Sequence, residues 1–442
     1  MATVMPLRGI LYNPEKIPDS AAVTTPPYDV ITPDEQAAYY DRHPHNVIRL
    51  ILGRAEKGDT PRNNPHTRAA AYYRQWMSEG ILKQDPRPAL YLKAITYAQG
   101  GSSITRTGLI ARVDLEPFEK GIILPHETTF SKVRSERLEL LKATHCNTCP
   151  IFSLYADDGG VLNMLEAAVD KSVPIVDFMD HLNHRHQLWR VVDPALHRRV
   201  ARAMKDKRLF IADGHHRYET ALNFRAHLRE TDPSFDGHHP ANSVLMYLCD
   251  MSDPGLIILP AHRLLKEVGV EAMRQALETS HRYFDVTEFP FSPSDRQRAQ
   301  RNLLSALDQG AHRTCIGVYA HQSPVFYLLT LKKGVIEALF EDELEPALRR
   351  LDVTVLTRLV FMEILGFDQA RLDNEQLIGY ASTAEKALQS IDGRAYDVAF
   401  LLNPTRIEQI EEIAGKGLIM PRKSTYFYPK VPSGLVMNSL TA

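Results

Sequence analysis

The sequence predicts a mixed α/β fold, because segments with the periodicity of strands and segments with the periodicity of helices alternate along the chain. Residues 67–79 place apolar side chains on one face of a helix. Residues 89–98 and 104–115 alternate as strands do, and Gln99-Gly100-Gly101-Ser102 between them is typical of a hairpin turn. The second half again mixes strands and helices, with a helix predicted at residues 375–381.

The chain is long enough for more than one domain, since 442 residues exceed the usual size of a single hydrophobic core. A polar run at residues 231–240 contains two prolines and a glycine and marks the predicted boundary. We therefore expect an N-terminal domain over residues 1–235 and a second α/β domain over residues 236–442. The functional site is expected between them.

The charge balance argues against a nucleic-acid-binding protein. The chain has 52 lysines and arginines against 54 acidic residues, whereas such proteins carry a basic excess. No apolar run approaches the roughly 18 residues that a membrane-spanning helix needs, and the first residues do not resemble a signal peptide. Four cysteines in this length do not indicate a disulfide framework. We expect a cytoplasmic protein with small-molecule partners, and the sequence leaves its oligomeric state undefined.

The segment Leu209–Leu222, with the sequence LFIADGHHRYETAL, contains the strongest functional signal. Residues 209–212 predict a buried strand, and residues 218–227 predict a helix with an apolar face. The turn between them contains Asp213, Gly214, His215, His216 and Arg217. Gly214 allows a ligand to approach the backbone closely, and a helix N-terminus favours a phosphate or carboxylate. We predict an anion-binding turn at residues 214–217, in which Arg217 is a bidentate donor.

Asp213 distinguishes a catalytic turn from a simple anion site. Its carboxylate would repel an anion unless it binds a metal ion or accepts a proton, so Asp213 is predicted to be a catalytic residue and a metal ligand. The alternative is a structural turn, in which the histidines cap the helix and Asp213 pairs with Arg217. We favour the functional interpretation because an aspartate, two histidines and an arginine crowd, with Gly214, into one turn after an apolar strand.

Two further carboxylates are candidate catalytic groups. Asp29 follows Pro26-Pro27-Tyr28, whose restricted backbone would hold the carboxylate in a fixed position. Glu127 belongs to His126-Glu127-Thr128, which follows an apolar strand and precedes a basic helix. Glu127 is either a general base or metal ligand, or a structural residue whose carboxylate interacts favourably with the positive end of the helix dipole. If the strands before Glu127 and Asp213 are parallel neighbours, both loops lie at the same edge of the sheet.

The segment of residues 421–430, with the sequence PRKSTYFYPK, is another candidate. Lys423 is followed by two hydroxyl side chains, and this combination suits contact with a phosphate or carboxylate. The aromatic residues 426–428 instead predict a docked C-terminal strand. We expect Lys423 to contribute to the binding of a ligand and the aromatic residues to be structural.

The cysteine and histidine clusters are interpreted as structural. Cys146 and Cys149 lack the second ligand pair of a zinc site and the strand-to-helix position of a redox pair. His181, His184 and His186 match no closed zinc pattern and are predicted to lie in a surface loop. The sequence also lacks a Walker motif, a dinucleotide-binding glycine motif and a nucleophile elbow. Any nucleotide must therefore be bound by a less common device.

The signature turn resembles a known phosphate-binding turn. Asp213 to Arg217, followed by a helix, is similar to the turn of the ParB/sulfiredoxin-like superfamily, and most similar to the version in its free serine kinases. Over the whole chain, the sequence resembles the bacterial domain-of-unknown-function family DUF1015. The blocks that carry this resemblance are PPYDVI at 26–31, PHET at 125–128, residues 211–222 and PRKSTYFYPK at 421–430. They run from near the start to near the end of the chain.

The resemblance implies a ParB/sulfiredoxin-like N-terminal domain and a nucleotide-dependent phosphotransferase that acts on a small hydroxyl compound, first of all free serine. The nucleotide would be ATP or ADP, with CTP possible, and Mg²⁺ would accompany it. The implied nucleotide-binding residues are Gly214, His215, His216, Arg217 and Lys423. His216 would also offset charge during transfer, Asp213 would orient the metal, and Asp29 or Glu127 would act as base.

Two alternatives remain open. One is a ParB-like nucleotide-binding switch that acts on a protein partner. The other is a metal-dependent hydrolase that uses His126, Glu127, His215 and His216.

Overall fold

The computed structural model describes residues 1–127, 131–157, 160–374 and 376–441. Thr128 of the predicted His126–Thr128 motif lies outside the described residues. The chain divides into two compact units: unit 1 comprises residues 1–125, 129–257 and 429–442, and unit 2 comprises residues 126–128 and 258–428. Residues 236–257 and 429–442, which the sequence analysis assigns to the second domain, therefore lie in unit 1.

Unit 1 is built around a mixed sheet with nine strands among the described residues. In spatial order, the strands are Ile123–Leu124, Leu209–Asp213, Ile151–Tyr155, Ser243–Asp250, Ser102–Asp114, Leu90–Gln99, Arg185–Val191 and Val176–Met179, with Val4–Met5 also pairing with Ser102–Asp114. Leu209–Asp213 runs parallel to Ile123–Leu124 and antiparallel to Ile151–Tyr155. The expected parallel pairing of the strands that precede Glu127 and Asp213 is therefore confirmed.

Two helices of unit 1 have an N-terminal residue whose side chain accepts hydrogen bonds from the first backbone N–H groups of the helix. A proline at the first helical position also removes one N–H group that would otherwise need a partner. Asn64 accepts hydrogen bonds from two N–H groups of the helix Pro65–Ser78, whose first residue is proline. Asp193 caps Pro194–Met204 in the same way. The other α-helices are Pro33–Arg42, Ile48–Ile51, Ser131–Thr144, Gly160–Glu166 and His215–Thr231, and the 3₁₀ turns are Ser20–Ala22, Tyr28–Val30, Phe118–Lys120 and Pro240–Asn242.

The main core of unit 1 lies between the sheet and its helices. All eight residues of Ser243–Asp250 are buried, as expected for a strand that is covered on both faces. Val113 and Met246 of the sheet and Val200 of the helix Pro194–Met204 are completely buried in this core. Two short pairs of strands, Ile10–Tyr12 with Leu82–Gln84 and Cys146–Asn147 with Asn438–Ser439, complete the unit. The last pair joins a strand near the C-terminus to Cys146–Asn147, and the loop that follows Cys146–Asn147 contains Cys149.

Unit 2 contains a second sheet, which is antiparallel throughout its six described strands. In spatial order, they are Phe284–Pro290, Val325–Leu331, Cys315–Ala320, Val398–Leu402, His262–Leu265 and Ile378–Ala381. The helical segments are Val270–Ser280, Arg296–Gln309, Val335–Phe340, Pro346–Arg349, Asp352–Val355, the π-helix Leu356–Ile364, Gln369–Leu372, Ala384–Asp392 and Ile407–Gly415. Leu303, Leu388 and Leu401 contribute to its core. Short strands at Ile257–Leu259 and Tyr426–Tyr428 are also present, so the predicted C-terminal strand is confirmed.

One predicted element is wrong. The sequence predicts a helix at residues 375–381, but Ile378–Ala381 is a strand at the edge of the second sheet. It pairs antiparallel with His262–Leu265, with Ile378 opposite Leu265. A segment this short has weak periodicity, so the pairing with a distant strand decides its structure. None of the helices in the described residues has the length and apolar character required to cross a membrane.

Candidate functional site

The signature turn consists of a single residue, Gly214, between the strand Leu209–Asp213 and the helix His215–Thr231. Gly214 has φ 100° and ψ 29°, in the left-handed region that favours glycine. The guanidinium group of Arg217 covers its α-carbon so closely that a β-carbon at position 214 would lie 2.9 Å from Cζ. The left-handed backbone therefore favours glycine at this position, and a β-carbon there would force the guanidinium of Arg217 to shift.

Asp213 lies between two cations. Arg217, one helical turn later, donates from Nη2 to Oδ2 of Asp213, and Lys430 contacts the other carboxylate oxygen through Nζ. The side chain of Asp213 is 9% exposed, and those of both cations are 13% exposed. Because the three groups are largely removed from water, their charges interact more strongly than those of a surface pair. Asp213 thus holds both cations at the start of the helix.

Arg217 is also connected to the loop that follows Cys146. Its Nη1 donates to the sulfur of Cys149, at 2.9 Å, and to the carbonyl oxygen of Pro150. Burial opposes the charged guanidinium, but the nearby Cys149, Asp213 and Asp29 outweigh burial and raise the pKa of Arg217 above its ordinary value. Arg217 is therefore a permanently charged group at the centre of this cluster.

Asp29 belongs to the same cluster. Pro27 is extended, and the 3₁₀ turn Tyr28–Val30 follows it, as the restricted backbone of the two prolines predicts. The ring of Tyr28 packs against the guanidinium of Arg137, at 4.2 Å from its centroid. The charge of Asp29 acts on Arg217, as does that of Asp213. Asp213 therefore contacts the guanidinium of Arg217 directly, and Asp29 is near enough for its charge to act on the same group.

A small cavity of about 70 Å³ lies beside this cluster in unit 1. Its lining includes Tyr28, Arg137, Cys149, Arg217 and Thr220. Pockets that enclose drug-sized ligands have volumes of roughly 300 to 1,000 Å³. The cavity has room for a small polar molecule, whereas a complete nucleotide would have to extend beyond it.

The first histidines of the helix differ in exposure. His215 is buried and His216 is half-buried. Both lie in the first turn, directly after Gly214, where the positive end of the helix dipole is found. The sequence predicts both residues in a turn before a helix at residues 218–227, whereas the helix already begins at His215. Their role in binding stays a prediction.

The His126-Glu127 pair is held by the segment that contains Lys423. Oε1 of Glu127 accepts a hydrogen bond from the backbone N–H of Ser424 at 3.0 Å. Nε2 of the fully buried His126 lies 2.9 Å from the hydroxyl of Thr425. These residues all belong to unit 2, and Lys423 itself is exposed, with φ 54°. The proximity of Glu127 and Lys423 to the signature turn stays a prediction.

The contacts of Asp213 do not suit a resident Mg²⁺ ion, since each carboxylate oxygen already contacts a cation. Among the described residues, the group with metal-ligand spacing is elsewhere in unit 1. The ligand atoms of Asp180, His184 and His186 all lie within 4.8 Å of one another. Nε2 of His186 is 3.0 Å from Oδ2 of Asp180, and Nδ1 of His184 is 3.3 Å from the same oxygen.

The surface-loop prediction is wrong for two of these histidines. His184 is 5% exposed and His186 is 2% exposed. His186 lies on the strand Arg185–Val191, opposite Phe178 of the neighbouring strand, and the two rings stack at 4.9 Å. The spacing of two residues between His184 and His186 is the sequence signal that would have placed both on one face of a strand.

Two residues of the cluster around Asp213 are not identified by sequence reasoning. The sequence predicts an ordinary loop at Cys149, and Lys430 is only the last residue of a motif in which Lys423 is the expected cation. Lys430 contacts a residue 217 positions away. No periodicity or spacing links such residues, so only the fold brings them together.

Residues 4–354 match the model of the family DUF1015, described as a protein of unknown function. Among solved structures, the chain is similar to a conserved hypothetical protein from Pyrococcus furiosus, with 12% identity, a TM-score of 0.35 and coverage of 73% of this chain and 93% of that chain. A free serine kinase in complex with AMP has 12% identity and a TM-score of 0.34, with coverage of 72% and 86%. SbnI with a C-terminal truncation, from Staphylococcus aureus, has 12% identity and a TM-score of 0.34, with coverage of 72% and 83%. No curated protein matches the sequence.

Proposed function

We propose that this chain, which belongs to the DUF1015 family of proteins of unknown function, is a nucleotide-dependent phosphotransferase that acts on a small hydroxyl compound. The observation that carries the proposal is the cluster of Asp29, Asp213, Arg217 and Lys430 at the start of a 17-residue helix in unit 1. Phosphoryl transfer requires charge and positioning more than covalent chemistry. This cluster supplies both.

In the proposed site, the phosphate groups of the nucleotide bind at the start of the helix His215–Thr231. The helix dipole, Arg217 and Lys430 all favour negative charge there. Asp213 keeps the two cations in fixed positions, so they do not have to reorganise when charge develops on the transferred group. His216, in the first turn of the helix, is the further group that offsets this charge.

The acceptor is a small hydroxyl compound, because the cavity beside Arg217 has a volume of only about 70 Å³. Asp29 would accept the proton of the hydroxyl group, since it is the carboxylate whose charge acts on Arg217 from outside the turn. The similarity of the turn to that of the ParB/sulfiredoxin-like free serine kinases makes free serine the first substrate to test. Glu127 remains the alternative base.

The proposal assigns no step to a metal ion held by Asp213, because Arg217 and Lys430 occupy both of its oxygens. Mg²⁺ is expected only as the usual companion of a nucleotide in solution.

The function can be tested with the full chain and a panel of ATP, ADP, CTP and GTP with Mg²⁺. A nucleotide that binds the folded state raises the melting temperature by mass action. Transfer is then followed by ³¹P NMR in the presence of serine, where a new phosphomonoester signal is expected. Stabilisation by a nucleotide without transfer to serine or to other small hydroxyl compounds would overturn the phosphotransferase assignment and favour a nucleotide-binding switch.

A further inference from the structure

Unit 2 contains a larger cavity, with a volume of about 550 Å³. It lies at one end of the antiparallel sheet, where the strands Cys315–Ala320, Val325–Leu331 and Val398–Leu402 meet. The N–H of Leu331 donates to the carbonyl oxygen of Thr314 at 3.0 Å, and the N–H of Leu402 donates to Nδ1 of His262 at 3.1 Å. These bonds fix the ends of the strands that form the cavity wall. The volume lies within the range of small-molecule sites.

The lining of this cavity is strongly cationic. Seven lysine and arginine side chains line it, against the two carboxylates of Glu337 and Asp352. The chain as a whole has 52 basic and 54 acidic residues, so the excess is local to the cavity. The cations of the lining outnumber its carboxylates by five, and an anion that enters the cavity offsets the repulsion among them. The lining therefore favours a ligand with several negative charges.

Some of these cations are already fixed by the protein. Arg263 is 3% exposed, and its Nη2 donates to the carbonyl oxygens of Arg422 and Lys423 at 2.9 and 3.1 Å. Arg350 pairs with Glu412 at 2.6 Å. These contacts hold the wall of the cavity in place without filling it.

Other cations of the wall lack such partners. Arg313, Arg349 and Arg406 form no ion pair with any carboxylate in the part of the chain that the structure describes. In addition, Nε of Arg349 is buried and has no hydrogen-bond partner within that part. The guanidinium groups of Arg313, Arg349 and Arg406 are therefore the ones that an anion in the cavity would pair with.

The N-terminus of a helix adds to the positive electrostatic potential in the cavity. The helix Ile407–Gly415 begins at the cavity, with Arg406 at its N-cap, and both Thr405 and Gln409 belong to the lining. The positive end of its dipole therefore acts in the same direction as the arginine side chains. Arginine forks bind phosphate oxygens in bidentate fashion, so several of them suit adjacent phosphate groups.

We propose that this cavity binds a small molecule that carries two or more phosphate groups. Inorganic pyrophosphate or tripolyphosphate and a nucleoside diphosphate share this chemistry. The inference is independent of the proposed function, because it uses only residues of unit 2. The site would make the protein a binder of polyphosphates even if the cluster around Asp213 performed no transfer.

Isothermal titration of the full chain with pyrophosphate, tripolyphosphate, ADP and citrate tests the proposal. Pyrophosphate or ADP is expected to bind, and Arg349→Gln and Arg313→Gln are each expected to weaken binding about tenfold by removing a charge-assisted contact. Arg349→Lys, which keeps the charge but lacks the guanidinium fork, should lose less affinity than Arg349→Gln. Arg301→Gln is the matched control, since Arg301 is exposed on the helix Arg296–Gln309 and does not line the cavity.

The outcomes separate the sources of the ligand. Only the binding that Arg313→Gln weakens is assigned to this cavity, because the proposed function places a nucleotide site in unit 1. If that binding is tighter for ADP than for pyrophosphate, it supports a nucleotide, and equal binding supports recognition of the phosphate groups alone. Tighter binding of citrate than of either, or the same affinity in the Arg313→Gln and Arg301→Gln variants, would overturn the proposal. Arg313 is exposed, so its replacement leaves the fold intact and keeps the test valid.

Discussion

The guanidinium of Arg217 covers the α-carbon of Gly214 so closely that a β-carbon there would lie 2.9 Å from Cζ. This contact exists because Arg217 turns back along the helix to reach Asp213, four residues earlier. The glycine, the arginine and the aspartate are therefore one structural unit, and a change in any of them affects the position of the other two.

Gly214→Ala is expected to destabilise the protein, because it adds a steric clash with Arg217 to the cost of a left-handed backbone. The backbone cost alone is about 1 to 3 kcal/mol. Gly58→Ala is the matched control, since Gly58 has φ 104° and a β-carbon at that position would have no atom within 4 Å. Chemical denaturation should give a larger loss of unfolding free energy for Gly214→Ala. Equal losses would contradict the close contact.

Lys430→Met is expected to reduce the free energy of unfolding by about 3 kcal/mol, because it removes one partner from a mostly buried ion pair. The comparison is Lys83→Met, since Lys83 pairs with Glu15 at the surface, with 56% and 78% of the two side chains exposed. Lys83→Met should reduce the free energy of unfolding by less than about 1 kcal/mol. Urea denaturation of both variants measures the difference. If Lys430→Met cost no more than Lys83→Met, the contact with Asp213 would not contribute to the fold.

Acid is expected to destabilise unit 2 through His262. Burial, followed by the charge of Arg263, lowers the pKa of His262 from 6.5 to about 4. Between these values the unfolded chain binds more protons than the folded chain, so stability is complete above pH 6.5 and falls as the pH drops towards 4. The contribution is on the order of 3 kcal/mol. The slopes of the stability curves of the wild type and His262→Gln should differ between pH 4 and pH 6.5 and should be equal above pH 6.5. Identical slopes at pH 5 would contradict the lowered pKa.

Asp352 is expected to make polyphosphate binding in unit 2 depend on pH. Burial raises the pKa of Asp352 to about 7, against the opposing effects of Thr314 and Arg406. Its negative charge therefore develops above pH 7 in the wall of a cavity that favours anions. Relative to Asp352→Asn, the wild type should lose affinity for pyrophosphate between pH 6 and 8, by roughly threefold to tenfold. Both proteins are titrated at each pH, so the protonation of pyrophosphate affects both affinities equally and cancels in their ratio. A constant ratio of affinities would argue against this titration.

The sequence contained the elements of the signature turn. Strong local periodicity predicted the strand before Asp213 and the helix after it, and Gly214 marked the turn between them. These features depend on neighbouring residues, and local sequence determines them. The parallel pairing of Ile123–Leu124 with Leu209–Asp213 was only a condition in the sequence analysis, because it joins distant segments.

The partners of the turn could not be predicted. Lys430 reaches Asp213 because the last residues of the chain return to unit 1, and Cys149 reaches Arg217 because its loop follows a short strand paired with Asn438–Ser439. Both of these contacts depend on chain pairing over long separations, which motif spacing does not report. His184 and His186 are a different case, because their spacing of two residues is compatible with a strand, and the strand Arg185–Val191 begins directly after His184.

The most direct test of the proposed function is the rate of phosphoryl transfer by Asp29→Asn, compared with Asp34→Asn. Asp34 is an exposed carboxylate on the helix Pro33–Arg42, five residues after Asp29 along the chain. If Asp29 is the base, Asp29→Asn should lower the rate by about 100-fold or more, with nucleotide affinity unchanged, whereas Asp34→Asn should match the wild type. Transfer by Asp29→Asn at the wild-type rate would contradict the assignment of Asp29 as the base and leave Glu127 as the remaining candidate.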